Sequence, residues 1–142
     1  MNSYYQPAYA SLVLRVTLGT VMIAHSLYLK LLVFTLPGTA EFFASLGLPS
    51  GLAYLVFSIE LVGGIGLILG VGTRMISIAL IPVLLGASWA HFGSGWLFSN
   101  AGGGWEYPLV LTVMAGVQFL LGDGAFAISN CVKEKKPALA DH

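Results

Sequence analysis

Gly51-Leu52-Ala53-Tyr54-Leu55-Val56-Phe57-Ser58-Ile59-Glu60-Leu61-Val62-Gly63-Gly64-Ile65-Gly66-Leu67-Ile68-Leu69-Gly70-Val71-Gly72 decides how this chain folds. A bilayer core of about 30 Å is crossed by about 20 helical residues. The run from Gly51 to Leu69 has that length, carries one charge, Glu60, and stops at the helix-breaking glycines Gly70 and Gly72. It predicts a transmembrane helix. Three more apolar runs flank it: about Ala8–Leu29, ending at Lys30; about Met75–Phe92; and about Trp105–Leu121, ending at Gly122-Asp123-Gly124. The last two are short, which suits slight bilayer thinning or strongly anchored ends. The expected fold class is all-α, a four-transmembrane-helix bundle.

Composition agrees. The 142 residues are 57% hydrophobic and 8% charged, whereas soluble domains carry about 25% charged residues. This is the composition of an integral membrane protein, with the lipid bilayer as its first partner. Formal net charge is zero, so nucleic-acid binding has no electrostatic basis. Cys131 is the only cysteine, which excludes an intrachain disulfide and a C-x-x-C relay unless a partner supplies thiols. Met1–Pro7 lacks a basic n-region and the apolar run after it is too long for a signal peptide, so the first run is expected to be a retained span. Residues 1–124 are expected to form one transmembrane domain, and residues 125–142 a short cytoplasmic tail, polar from Lys133 onward.

Two connections carry their own signals. Between runs one and two, Gly38–Gly47 is bracketed by Pro37 and Pro49, and Phe42, Phe43 and Leu46 share a helical face. This predicts a short interfacial helix in the first outer loop. Between runs three and four, the glycine-rich stretch from Gly93 to Trp105 holds Trp96 and Trp105, which favour the headgroup level. Orientation follows from basic residues. Arg74, Lys133, Lys135 and Lys136 fall on the side of the termini and Lys30 alone on the other, which places both termini in the cytoplasm.

Charges inside hydrocarbon are costly and mark partners or function. Glu60 lies roughly 14 Å below the outer rim and Arg15 roughly 10 Å above the inner one, at 1.5 Å per residue. The level difference, roughly 6 Å, is within reach of an extended arginine, so an Arg15–Glu60 structural ion pair is expected. That role ranks ahead of proton handling by Glu60. On the outer side, His25, His91 and Glu106 come from three runs to one level, near Lys30, Trp105 and Tyr107. Glu106 is also favoured there by the dipole of the helix it opens. A quinone headgroup needs hydrogen-bonding groups, a proton acceptor and aromatic walls near the membrane surface, and these six residues are the ligand-binding candidates. A metal ranks second, because no i, i+4 ligand pair is present, and haem third. No metal ligand and no catalytic residue is assigned. Gly66-x-x-x-Gly70, Gly19, and Gly86 with Ala90 are expected to be flat packing faces.

Several stretches together resemble the DoxX family: Leu14-Arg15-Val16-Thr17-Leu18-Gly19 with Ala24-His25-Ser26 and Lys30-Leu31; Glu41-Phe42-Phe43-Ala44-Ser45-Leu46-Gly47-Leu48-Pro49; Glu60-Leu61-Val62-Gly63-Gly64 with Gly70-Val71-Gly72-Thr73-Arg74; and Gly102-Gly103-Gly104-Trp105-Glu106-Tyr107. The likeness covers about Leu12–Leu121 and departs at Ser26, where the family more usually has glycine, and in a longer Leu31–Thr39 connection. The resemblance implies a four-helix bacterial inner-membrane protein linked to redox systems, including subunits of thiosulfate–quinone oxidoreduction. It supplies no reaction. The expected function is therefore a membrane subunit of, or accessory to, a quinone-linked oxidoreductase system with a redox partner protein. The alternatives are a non-catalytic scaffold or assembly factor, and then a small transporter, which would need a homo-oligomer.

Overall fold

The computed structural model of the protein describes residues 5–134, all of its regular elements being helical. The elements are α1 (Tyr5–Ile23), α2 (Leu36–Ser45), α3 (Gly51–Leu69), α4 (Thr73–Ala90), α5 (Glu106–Leu121) and α6 (Ile128–Glu134). The end of the expected tail, from Lys135 on, lies outside the described residues. Among the described residues, three helices are long and apolar enough to cross a membrane, Gln6–Val33, Gly51–Leu69 and Thr73–Ala90; Glu106–Leu121 is apolar but shorter.

The first of these runs past the expected stop at Lys30. After Ile23 the rod continues through Ala24–Val33 as a π-helix, whose hydrogen bonds span five residues, as where the Phe34 amide donates to Leu29 O. The combined 28 residues exceed the ~20 that a bilayer core requires. Thr35, at φ 61°, turns the chain and accepts the Gly38 amide as N-cap of α2. This helix starts at Leu36, before the expected bracket at Pro37. Its inward face is Thr39 and Ala40, packed on α3 and the π-helical segment, while Phe42 points outward. The expected Phe42–Phe43–Leu46 face is thus rotated.

The long helices form a ring in which α1 packs on α3, α3 on α4, α4 on α5 and α5 on α1. Leu18, Met22, Leu67, Leu80, Leu84, Leu111 and Ala115 meet on its axis as the apolar core. One end of the ring carries the start of α1, the α3–α4 turn and α6 (the terminal end). The other carries the two longer connections (the loop end).

Gly19 of α1 and Gly64 of α3 mark a close helix approach. A Cβ on Gly19 would stand 2.7 Å from Gly64 O, and one on Gly64 would stand 2.8 Å from Gly19 O. Backbone meets backbone there, as small residues allow. The expected Gly66-x-x-x-Gly70 face is not that contact: Gly66 faces the Ile76 side chain of α4, Gly70 ends its helix, and Gly86 borders open space. Gly64→Val is expected to push α1 and α3 apart and cost about 1–3 kcal/mol, the usual range for overpacking. Thermal unfolding in mild detergent checks this against Gly86→Ala, which should be neutral.

Candidate functional site at the loop end

Lys30 and Glu60 form an ion pair, Lys30 Nζ to Glu60 Oε2 at 2.6 Å, with side chains 16% and 7% exposed. This corrects the expected Arg15–Glu60 pair. In a helix bonded five residues apart, positions five apart stand one above the other, as positions four apart do in an α-helix. His25 and Lys30 have that spacing within the π-helical segment. The widening therefore turns Lys30 inward with His25, where an α-helix ending at Lys30 would have left it at the rim.

Arg15 serves the opposite end. Its Nη1 donates to Leu67 O at 2.9 Å and Ile68 O at 2.5 Å, and its Nη2 to Ala125 O at 2.8 Å. Leu67 and Ile68 belong to the last turn of α3, whose carbonyls lack partners within the helix. Gly70, at φ 68° and ψ 44°, completes the cap: its amide donates to Leu67 O and that of Val71 to Gly66 O, a Schellman motif. A guanidinium reaching over from α1 thus caps α3, where the helix dipole favours positive charge. Beside it, Ser11 Oγ donates to Gly122 O at 2.7 Å, and Gln118 Nε2 donates to Ser11 Oγ and Gly122 O. The Ala125 amide bonds Ala8 O, Ala127 is fully buried and the Ser129 amide bonds Gly70 O. The segment after Gly124 therefore packs against the bundle before any tail begins. Sequence reasoning passed over Ser11 and Gln118 because neither is charged; an amide within an apolar run was the available signal.

At the loop end each candidate has a local partner. The His25 ring stacks on Tyr107, with centroids 6.0 Å apart and planes at 22°. Since Val21 O and Gly102 O can only accept, Nδ1 of His25 (2.9 Å) and Nδ1 of His91 (3.0 Å) are the donors in these contacts. In the neutral rings Nε2 is then the acceptor nitrogen. Glu106 Oε2 accepts the Phe98 amide at 3.4 Å, and Trp105 lies between Trp96 and Phe92, at 4.4 and 5.6 Å. The structure thus joins His25 to Tyr107 and Lys30 to Glu60, and ties His91 and Glu106 to the loop between α4 and α5. No hydrogen bond or ring contact joins any two of His25, His91 and Glu106. No group of three His, Cys, Asp or Glu side chains among the described residues is placed to hold a metal.

Two grooves lie elsewhere. One of about 290 Å³ between α3 and α4 is lined by Ser58, Ile59, Val62, Gly63, Ile76 and Ala79. Another of about 300 Å³ is lined by Val71, Ile128, Ser129 and Val132. Both are open and mostly apolar, and neither offers the polar groups that fix a ligand's orientation.

The sequence model of the DoxX family matches residues 10–93. The chain belongs to the DoxX family. With its apolar helices, membership makes it an integral membrane protein. The match spans α1 to α4, including His25, Lys30, Glu60 and His91. The chain is also similar to the Bacillus subtilis (strain 168) protein named "Putative oxidoreductase CatD", with 38% identity over 77 residues. That alignment covers 54% of this chain and 55% of the relative, so the chain spans about half the length of the relative it matches. No solved structure matches.

Proposed function

We propose that this DoxX protein is a bacterial inner-membrane subunit of, or accessory to, a quinone-linked redox system, and that the headgroup site lies at the loop end. The observation that carries this reading is His25 stacked on Tyr107, where the π-helical part of α1 meets the start of α5. Lys30 and Glu60 lie one π-helical turn along, and Trp105 and Trp96 stand beside the same start of α5. Such a site combines hydrogen-bonding groups with aromatic walls, as planar headgroups require. The oxidoreductase name of the relative points the same way.

In this reading α5 is the fourth span, and both termini are cytoplasmic. The connections 34–50 and 91–105 contain no lysine or arginine, and Lys30 is bonded to Glu60, so the basic residues favour the terminal end as the cytoplasmic one. The test is solvent extraction of the purified protein with analysis of bound quinones, together with quinone-dependent electron transfer in membranes carrying His25→Ala. A co-purifying quinone and a rate lowered at least tenfold are expected. Absence of quinone with an unchanged rate would discard the reading.

The scaffold reading draws on a different observation, the exposure of Phe92, Trp96 and Phe98, at 65%, 47% and 69%, on the α4–α5 connection. A stoichiometric partner lost on Phe98→Ser, with electron transfer retained in Glu106→Ala, would favour it.

A further inference from the structure

Deepening the headgroup reading, on which it rests, we infer that the site takes a hydroxyl-bearing, hydroquinone-type headgroup. Its hydroxyl hydrogen is accepted by His25 Nε2 and its oxygen is held by Lys30, with Glu60 as counter-charge.

Three observations carry this. The Nδ1 hydrogen of His25 is already committed to Val21 O, so the neutral ring has only an acceptor left to offer, and His91 is arranged the same way toward Gly102 O. A ligand with carbonyl oxygens alone would meet lone pair against lone pair there, whereas a phenolic O–H satisfies it. Next, the five-residue spacing of the π-helical segment sets Lys30 on the same side of it as His25, acceptor and donor together. An ammonium has three donor hydrogens, and Glu60 Oε2 engages one direction of Lys30 Nζ. Finally, Tyr107 offers its ring face beside His25, the wall on which a planar headgroup lies. Glu60 is 5% exposed, and its carboxylate holds the Lys30 side chain within the apolar bundle. This brings Glu60 into the ligand site, and makes Lys30 the cation of that site.

A pair of probes separates donor from acceptor chemistry: dodecylhydroquinone, and its dimethyl ether, which keeps the ring and chain but cannot donate. Binding to the full-length protein in mild detergent is followed by quenching of tryptophan fluorescence in a Trp89→Phe background, which leaves Trp96 and Trp105 as the reporters. The hydroquinone is expected to bind at least tenfold more tightly than the ether. His25→Phe, which keeps the stacking on Tyr107, should remove that preference. Lys30→Met/Glu60→Gln, which removes both charges without stranding either, should weaken hydroquinone binding at least tenfold, while Gly86→Ala should bind as the parent does. Equal affinity for the two probes, or a preference that survives His25→Phe, would overturn the inference while leaving a quinone-class site standing. Binding of neither hydroquinone nor the corresponding quinone would overturn both.

Discussion

Glu60→Ala is expected to destabilise the protein by about 3–5 kcal/mol, the usual cost of removing one partner from a buried ion pair. Lys30 would lose its counter-charge at a depth where water is scarce. The cost arises from the stranded ammonium more than from the lost attraction, so removing both charges should be far milder. Lys30→Met/Glu60→Gln is expected to recover most of the loss, because replacing a buried pair by groups of similar volume is often neutral. Denaturant unfolding in mild detergent measures both. The same cycle discriminates between partners. Lys30 and Glu60 variants should couple strongly, whereas Arg15 and Glu60 variants should add to within about 0.3–0.5 kcal/mol, as independent sites do. Additive Lys30 and Glu60 effects would refute the pairing.

Arg15→Met is expected to cost about 2 kcal/mol or more, at ~1–3 kcal/mol for each of the Ile68 and Ala125 carbonyls left without a donor, while Leu67 O keeps the Gly70 amide. Three carbonyls, of Leu67, Ile68 and Ala125, lose their guanidinium together. Two belong to α3 and one to the segment before α6, so the variant should loosen the terminal end as a unit. Limited proteolysis should then cut within 122–134 at least tenfold faster, while the loop end stays protected. Arg15→Lys should restore little, since an ammonium cannot present the rigid fork that spans two segments. Gly70→Ala should resemble Arg15→Met. It forces a Cβ into a left-handed conformation, within 2.9 Å of the Arg15 guanidinium carbon and 2.6 Å of Ala127 Cβ. Unchanged proteolysis in both variants would rule out the capping role.

Much of the fold was legible residue by residue. Gly51–Leu69 was read to its ends because Pro49 shortly before it and the glycines after it interrupt helices wherever they occur. The end of α1 was misread at Lys30, since a lysine ordinarily marks a membrane rim. Nothing in Ala24–Val33 announces that five-residue hydrogen bonds will replace four-residue ones. That one error displaced two partners: Lys30, a ligand-binding candidate, was given no ion-pair partner, and Glu60 was given to Arg15. His25 and Tyr107 were both candidates, but their ring contact depends on how far α1 rises past the start of α5. Ser11 and Gln118 went unnoticed because hydropathy weighs amides and hydroxyls lightly, although in an apolar interior they must find one another.

The sequence by itself determined that this chain belongs in a membrane, where its apolar runs lie and which few residues bear polar groups within them. Those are sums over neighbours along the chain, since the free energy of placing a helix in hydrocarbon accumulates residue by residue. Only the tertiary structure decided which partner each polar group takes. By depth alone Arg15 lay within reach of Glu60, whereas Lys30, expected at the rim roughly 14 Å away, did not. The choice was made by helix rotation and register, set by the Gly19–Gly64 contact and the π-helical widening after Ile23. Depth is a one-dimensional property of the chain, whereas rotation about a helix axis is settled only when another helix packs against it.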